Sequence, residues 1–427
     1  MKILIKILTV MFGILLLISC QDKIEETYKV NTPVYMTYND LRSSFKVAGG
    51  EDIVHPGKIY FKDNYIFVNE YQKGIHVIDN SNPEDPKIIR FIEIPGNVDM
   101  AVKGTMLYAD SYVDLLTIDI SNMDNIREVD RDTNVFPYII PEYESGIIEM
   151  IDQSRGVITG YKVEEKTEKV EANQTYYNRF PMWDGAMLFN SVGNAKSDML
   201  GGNDFGTGGS MARFTLYANY LYTVNEYSLK LFDISIPGNP SFSNDISVGW
   251  DIETIFPYED KLFLGSQSGM YIYSLTNPSA PEQIVRFRHA SACDPVVVDG
   301  DYAYVTLRSG NLCGAIESQL DVVDISEISD PQLLKTYPME EPYGVGIDNP
   351  VLFVCDGNAG LKIYDASDPM NIAANKLAEY PDIHAFDVIP LGNILVLIGT
   401  DGLYQYDYSN PQNIRQLSYI PIYTGIE

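Results

Sequence analysis

The fold of this chain is decided by an octapeptide that recurs as GIHVIDNS (74–81), DLLTIDIS (114–121), SLKLFDIS (228–235), GMYIYSLT (269–276), QLDVVDIS (319–326), GLKIYDAS (360–367) and GLYQYDYS (402–409). In six copies, apolar or β-branched residues lead to an Asp, and Ser follows two positions later. Asp and Ser side chains accept backbone N–H groups in tight turns, so each copy predicts the end of a strand entering a turn. The fourth copy has Ser274 and Thr276 at these positions, which predicts a looser turn.

A second pattern lies upstream of each octapeptide, where a turn is followed by an apolar or aromatic run such as DNYIFV (63–68) or GNILVL (392–397). Further apolar segments precede each turn and follow each octapeptide, for example PVVVD (295–299) and KIIRFIEI (87–94). These patterns predict four antiparallel strands in each unit of about 40–45 residues, which is the blade of a β-propeller. The repeats therefore predict an all-β, seven-bladed propeller over residues 54–427.

The repeats also have a family resemblance, carried by LLTID (115–119), LKLFD (229–233), LDVVD (320–324) and LKIYD (361–365). These stretches resemble the repeat of the LVIVD-repeat proteins, which are bacterial propellers of the YVTN-like class. Recognisable repeats extend from about residue 56 to residue 422. The resemblance implies a propeller fold and a place in the cell envelope, and it implies no particular activity.

The start of the chain is typical of a secretory signal, with Lys2 and Lys6 before an apolar stretch at 7–18. Leu17-Ile18-Ser19-Cys20 resembles the bacterial lipobox, so residues 1–19 are predicted to be a lipoprotein signal peptide. Cys20 would then be lipidated and would anchor the protein to the outer membrane, on a leaflet that the sequence does not define. The alternative is an uncleaved membrane anchor. Residues 20–53 are expected to form a polar tether and an N-terminal segment.

The charge of the chain limits its partners. The formal net charge is −29 and the pI is about 4.4, and loss of a signal that contains two lysines and no acids makes the charge −31. A polyanion would be repelled, so nucleic acid is excluded as a partner. The acidity serves either cations and basic protein patches or the solubility of an envelope protein. No cofactor or metal is expected, and the propeller is expected to be a monomer.

Two further cysteines are predicted to form a disulfide. Cys293 lies in a connection leading into the innermost strand of the fifth blade, and Cys313 lies between the second and third strands of that blade. Both loops reach the same face, and the oxidising cell envelope permits a bond that closes a loop of about 20 residues, worth about 3 kcal/mol. Metal ligation by the two thiols is the alternative, but no His or third Cys has a suitable spacing. Cys355 is expected to be a small, part-buried residue.

One interval breaks the repeat. Asp119 and Asp233 are 114 residues apart, whereas Asp79 and Asp119, Asp324 and Asp365, and Asp365 and Asp407 are 40 to 42 residues apart, which predicts an insertion at 131–210. Long loops on rigid scaffolds often carry function. Its aromatic residues Tyr176, Tyr177 and Trp183 either line a carbohydrate or peptide site or form the underside of a cap. GGNDFGTGGS (201–210) is expected to be a flexible glycine-rich loop.

The candidate ligand-binding residues are polar side chains in loops that share a face with this insertion. They are Arg308, Asp110, Tyr112, Glu226 and Asp356 between second and third strands, and Asp99, Glu253, Asp294, His384 and Asp387 near the central channel. The structural alternative is that each is a solvated rim residue or bonds the backbone. Arg308 is the most specific of these candidates. Its guanidinium can hold a carboxylate or phosphate with two hydrogen bonds, or can pair with a neighbouring Asp.

Catalytic motifs are scarce. The four histidines form no HxxxH pair and no GxSxG sequence occurs. The sequence therefore favours a non-enzymatic propeller that binds or scaffolds a protein or glycan at the cell envelope. The alternative is a hydrolase or lyase that acts on an extracellular glycan, with acidic residues at the channel mouth as acid and base.

Overall fold

The computed structural model of this chain describes residues 23–141, 143, 145–171, 187–188, 205–210, 212–250, 252–266, 269–288, 295–309 and 317–423. The chain divides into two compact units, one of residues 1–38 and 138–190 and the other of residues 39–137 and 191–427. The predicted insertion at 131–210 therefore does not form one body. Its first residues and its last belong with the repeats.

The first unit is built on a long antiparallel ribbon. Strand Lys23–Met36 pairs along its whole length with Val157–Glu171, from Lys23 opposite Glu171 to Met36 opposite Val157. The shorter elements of the unit are the strands Ile139–Ile140, Ile147–Ile148 and Met187–Leu188 and the 3₁₀ turn Gln153–Arg155. Residues 23–36 thus form a strand that the sequence does not single out, because its hydrogen-bonding partner lies over 120 residues away and leaves no local signal.

The second unit contains seven consecutive antiparallel sheets among its described residues. Sheet 1 consists of Pro56–Lys62, Tyr65–Glu70, Gly74–Asp79 and Lys87–Glu93, with Thr207–Gly208 added beside its first strand and Lys46–Gly49 beside its fourth. Sheet 2 consists of Met100–Lys103, Met106–Ser111, Asp114–Asp119 and Arg127–Asp132. Sheet 3 consists of Phe214–Tyr217, Tyr220–Val224, Ser228–Asp233 and Ser241–Ser247.

The remaining four sheets follow the same order. Sheet 4 consists of Ile252–Tyr258, Lys261–Ser266, Gly269–Ser274 and Glu282–Phe287. Sheet 5 consists of Val296–Asp299, Tyr302–Leu307, Gln319–Asp324 and Gln332–Pro338. Sheet 6 consists of Val345–Asp348, Val351–Cys355, Leu361–Asp365 and Lys376–Tyr380. Sheet 7 consists of Ala385–Leu391, Ile394–Gly399, Gly402–Asp407 and Arg415–Pro421.

Helices are few. The described residues contain the α-helix Tyr38–Arg42 and, in the second unit, the 3₁₀ turns Gly357–Ala359 and Ile372–Asn375. Within the part of the chain that the structure describes, no helix has the length and apolar character needed to cross a membrane. The predicted all-β class is therefore confirmed.

Each sheet of the second unit packs on the next, and the last packs on the first. Apolar clusters join sheets 1 to 3, 3 to 4, 4 to 6 and 6 to 7. A further cluster joins sheets 7 and 1 through side chains such as Val396 and Ile66. Ile53 also forms a parallel bridge with Ile422, beyond the last strand. Among the described residues, each sheet therefore buries apolar side chains against both of its neighbours, the arrangement expected of a propeller.

The Asp of the octapeptide closes its turn, as predicted. In sheet 3 the Oδ1 atom of Asp233 accepts hydrogen bonds from the backbone N–H of Ser235 at 2.8 Å and from the Ser235 hydroxyl at 2.5 Å. Asp79, Asp324 and Asp407 make the same pair of bonds. These bonds lower the pKa of the carboxyl groups. In the fourth copy the Ser274 hydroxyl accepts from the Thr276 N–H at 3.2 Å, so the same turn forms with a longer bond.

The fourth turn allows a test of this interpretation. Replacing Ser274 with Asp supplies the carboxylate that the other copies have, and we expect the free energy of unfolding to rise by about 0.5–1 kcal/mol. The reverse change, Asp233→Ser, is expected to lower it by a similar amount. Urea denaturation of the full chain measures both, and equal stability of all three proteins would contradict the assigned role.

Tyrosine hydroxyls tie neighbouring sheets together at the octapeptide turns. Each donates to the carbonyl of a Pro that follows the octapeptide of the next sheet, in the pairs Tyr108–Pro237 (2.9 Å), Tyr222–Pro278 (2.7 Å) and Tyr337–Pro369 (2.7 Å). Burial raises the pKa of Tyr108 and Tyr222 well above the usual range. The Pro after the octapeptide thus presents a carbonyl to the neighbouring sheet as well as shaping the turn.

Candidate functional site

One face of the second unit collects the candidate residues. We call it the loop face, and it consists of the loops between second and third strands and the segments that lead into first strands. Hydrogen bonds join the two kinds of loop, since the N–H of Gln72 donates to the carbonyl of Asn97 at 2.9 Å and the N–H of Ile252 donates to that of Glu226 at 3.0 Å. The predicted sharing of one face is therefore confirmed for these loops.

Buried carboxylates at the ends of second strands hold the loop face together. Each accepts two consecutive backbone N–H groups from a segment leading into a first strand: Glu70 from Val54 and His55, Asp110 from Val98 and Asp99, and Asp356 from Glu340 and Glu341. Burial raises the pKa of Asp110 to about 6. Asp110 and Asp356, which the sequence offers as ligand-binding candidates, are thus bound to the chain itself.

A set of charged residues occupies one equivalent position in the first strands, four residues before the strand ends. The position is filled by Lys58, Asp99, Arg213 and Asp387 in sheets 1, 2, 3 and 7, whereas in sheet 4 it is filled by Thr254, next to the buried Glu253. From sheet 1 to sheet 3 the charges alternate in sign. The sequence singles out only the acids. Aligning the repeats on their octapeptides would have found Arg213, which lies as far before its octapeptide as Asp99 and Asp387 do, whereas Lys58 lies one residue farther.

The centre of this set is a buried ion pair. The Nζ atom of Lys58 lies 2.7 Å from Oδ2 of Asp99, and that oxygen also accepts the backbone N–H of Phe214 at 3.1 Å. Burial lowers the pKa of Lys58, and the attraction of Asp99 opposes this. Arg213 donates from Nε to the backbone carbonyl of the buried Glu253 at 3.3 Å. Asp99 is therefore engaged by the protein on both carboxylate oxygens, the other accepting from Met100.

Asp387 anchors the end of the glycine-rich segment. Its Oδ1 atom accepts the N–H of Ser210 at 2.8 Å and the hydroxyl of Ser210 at 2.7 Å. Just before this, Thr207–Gly208 pairs with the first strand of sheet 1, and the N–H of Gly209 donates to Ile59. A Cβ atom on Gly209 would lie 1.9 Å from Oδ2 of Asp387. Residues 205–210 are thus held in place, with Thr207–Gly208 as a short strand, and the prediction of a flexible loop is wrong there because the glycines allow close packing.

Arg308 and its neighbours remain accessible on the loop face. The guanidinium of Arg308 lies 4.0 Å from the centre of the Tyr343 ring, and the Tyr343 hydroxyl donates to Oε1 of Glu341 at 3.1 Å. Arg308 is half-buried, so it presents a fixed cation on an acidic protein. Tyr112 is buried, with a φ of 54° and its ring against Gly96, and His384 is half-buried ahead of sheet 7.

The most exposed aromatic side chain of the loop face is one that the sequence does not single out. Trp250 is 70% exposed, and its ring centre lies 5.3 Å from that of Tyr227 with an angle of 83° between the planes. Glu226, a predicted candidate, precedes Tyr227 in the same loop. No periodicity or motif marks Trp250, because it lies in the connection between two sheets.

Several predicted residues lie outside the described residues. They are Cys20, Cys293, Cys313, Asp294, Tyr176, Tyr177 and Trp183. Cys355 lies at the end of a second strand and is fully buried, and burial raises the pKa of its thiol. Within the described ranges, no group of His, Cys, Asp and Glu side chains is close enough together to hold a metal ion.

The fold is that of a β-propeller protein, as the succession of four-stranded sheets and the packing of the last sheet on the first indicate. The LVIVD repeat model matches residues 57–90 and 290–338, so the chain carries the LVIVD repeats that its sequence predicts. No curated protein matches the sequence.

Solved structures are similar to this chain at low sequence identity. The computationally designed Ika8 protein is 10% identical over 88% of this chain and 90% of its own, with a TM-score of 0.50. The periplasmic gluconolactonase PpgL of Pseudomonas aeruginosa is 12% identical over 86% of this chain and 97% of its own, with a TM-score of 0.49. BamB from Moraxella catarrhalis is 8% identical over 91% of both chains, with a TM-score of 0.44. Similarity at this level concerns the fold alone.

Proposed function

We propose that this chain is a lipid-anchored, seven-bladed β-propeller that binds or scaffolds a protein or glycan at the cell envelope through its loop face. The ligand is proposed to contact the accessible side chains around Arg308 and Trp250. Lipidation at Cys20, a place at the outer membrane and a disulfide between Cys293 and Cys313 belong to the same proposal. The seven consecutive sheets and the contact of the last with the first support the blade number.

The observation that carries the binding function is that four buried carboxylates of the loop face are bonded to the chain itself. Asp99, Asp110, Asp356 and Asp387 are all buried, and each accepts backbone N–H groups of its own chain. A general acid or base must come within hydrogen-bond reach of its substrate, and these groups are already engaged in holding loops. The face is therefore a rigid surface with accessible aromatic and cationic groups, which suits recognition better than hydrolysis.

A retention experiment tests this function. The mature chain carrying Cys20→Ser, which removes the lipid, is applied to insoluble peptidoglycan and to immobilised outer-membrane proteins. We expect saturable retention on one of these probes and a loss of at least fivefold when Arg308→Ala and Trp250→Ala are combined. Leu333→Ala with Met370→Ala, both exposed elsewhere on the second unit, is the matched control. Equal loss in the control, or no retention of the parent chain, would overturn the proposal.

The same preparations separate binding from catalysis. Release of reducing sugar from any glycan probe, abolished by Asp99→Asn or Glu253→Gln in protein that urea denaturation shows to be folded, would favour the hydrolase or lyase alternative. For the anchor, mass spectrometry of the mature N-terminus is expected to find a diacylated or triacylated Cys20. For the disulfide, unreduced protein is expected to show no titratable thiol at Cys293 or Cys313.

A further inference from the structure

We propose that Trp250, braced by Tyr227, forms a stacking platform for one pyranose ring of a neutral glycan. This inference rests on the proposed binding function and names its ligand class and its point of contact. It begins with the exposure of Trp250, 70% of which is open to water, more than for any other described aromatic side chain of the second unit. Trp is enriched at binding surfaces because it combines a large apolar ring with one polar N–H group.

The platform is rigid before any ligand arrives. The N–H of Val248 donates to the carbonyl of Tyr227 at 3.0 Å, and the N–H of Ile252 donates to that of Glu226 at 3.0 Å, so the two loops are bonded on either side of Trp250. The side chain of Asn225 accepts the N–H groups of Tyr227 and Ser228 at 2.8 and 2.9 Å. A pre-ordered site loses little conformational entropy on binding.

The loop that carries Trp250 also packs closely on neighbouring side chains. Gly249 lies so close to Tyr271 that a Cβ atom there would be 2.2 Å from its hydroxyl oxygen, so any larger residue would have to displace the Tyr271 side chain. The buried Tyr271 ring in turn has the guanidinium of Arg286 5.0 Å from its centre. The perpendicular arrangement of Tyr227 and Trp250 braces the indole while leaving ring surface open.

Two features favour a neutral sugar over a protein partner. Most other strongly exposed apolar side chains of the second unit lie on outer strands or octapeptide turns, for example Phe242, Leu333 and Ile236, and Tyr423 lies next to Ile53 at the junction of sheets 7 and 1. Trp250, between sheets 3 and 4, is therefore not part of a broad apolar patch. A single ring-sized surface suits one pyranose, whose C–H groups stack on an aromatic face, whereas stable protein interfaces bury about 800 Å² per partner. The net charge of −29 repels an anionic polysaccharide.

Tryptophan fluorescence tests the platform directly. The chain has two Trp residues, so in Trp183→Phe the emission reports Trp250 alone. Cellohexaose, the N-acetylglucosamine hexamer and mannohexaose are the neutral probes, and hexagalacturonate is the anionic control. We expect a saturable change in emission with at least one neutral probe and none with the anionic one. Calorimetry is expected to show binding at least tenfold weaker in Trp250→Ala and weaker in Tyr227→Ala.

The controls keep this outcome separate from that of the general function. Tyr419→Ala removes an exposed aromatic ring from an outer strand and is expected to leave affinity unchanged. Unaltered affinity in Trp250→Ala would overturn the platform while the binding function stands. Retention of a protein through Trp250, with no neutral hexasaccharide bound, would overturn the platform too. Trp250 is exposed, so its variants are expected to unfold at the same urea concentration as the parent.

Discussion

Replacing Glu70 with alanine is expected to lower the free energy of unfolding by about 3–5 kcal/mol. Glu70 is 3% exposed and accepts hydrogen bonds from the N–H groups of Val54 and His55 at 3.0 and 2.8 Å. Its Oε2 atom also lies 3.0 Å from Nε2 of the buried His76. Removal of the carboxylate leaves the buried His76 and the part-buried N–H groups of Val54 and His55 without this acceptor.

The position of Glu70 makes the loss global. Glu70 fixes the segment at 53–55. Within this segment Ile53 forms a β-bridge with Ile422, and the carbonyl of Ile53 accepts the N–H of Tyr423. Glu70 thus links the contact between the first and last sheets to the body of sheet 1. Urea denaturation of the full chain is the measurement, with Glu93→Ala as the control because Glu93 forms an exposed pair with Lys46. A loss no larger than that of the control would refute the assigned role.

The acid dependence of stability follows from the same group. Burial alone would raise the pKa of Glu70, but the hydrogen bonds from His76, Val54 and His55 lower it to about 2 from 4.5. A carboxyl whose folded pKa is lowered contributes stability above its unfolded pKa and loses it as the pH falls through the folded value. We therefore expect the Glu70 contribution to be complete above pH 4.5 and to vanish toward pH 2, and Glu70→Gln should flatten this slope.

Asp110 acts in the opposite direction, because burial raises its pKa to about 6 from 3.8. Its ionisation is disfavoured in the folded state, so between those values it lowers stability as the pH rises.

The sequence predicts the repeated architecture well because the information is local. The octapeptide shows both the strand and its turn, and Asp233 accepts the hydrogen bonds from Ser235 that this pattern predicts. Local information also places the loops on one face. The ribbon of 23–36 with 157–171 escapes prediction, since its pairing depends on residues distant in the chain.

The candidate site is harder to predict, because the presence of an Asp or Glu in the sequence does not show which groups donate hydrogen bonds to its carboxylate. Asp110, Asp356 and Asp387 look alike as candidate ligands and as structural groups, and only geometry shows that they bond backbone N–H groups. Glycine is equally ambiguous, since Gly209 indicates a flexible loop in sequence and a close approach to Asp387 in space. No sequence pattern marks Trp250, and only its exposure in the structure identifies it as a candidate.

The second large effect is expected at the Lys58–Asp99 pair. Asp99→Asn keeps the shape of the side chain but removes the charge 2.7 Å from Nζ of Lys58, whose side chain is 12% exposed. An uncompensated buried charge costs about 3–5 kcal/mol, so we expect the free energy of unfolding to fall by that amount. Lys58→Met alone leaves Asp99 buried without its cation and is expected to cost a similar amount.

The double variant distinguishes a structural role of the Lys58–Asp99 pair from a role in ligand binding. With both charges gone, neither partner is left uncompensated, so we expect Lys58→Met with Asp99→Asn to be more stable than either single variant, with a coupling energy of at least about 2 kcal/mol. Urea denaturation of the four proteins gives this value. If the pair exists to hold sheets 1 and 2 together, the double variant also keeps its ligand retention. Additive losses of stability would contradict the coupling, and lost retention in a stable double variant would instead place Asp99 in contact with the ligand.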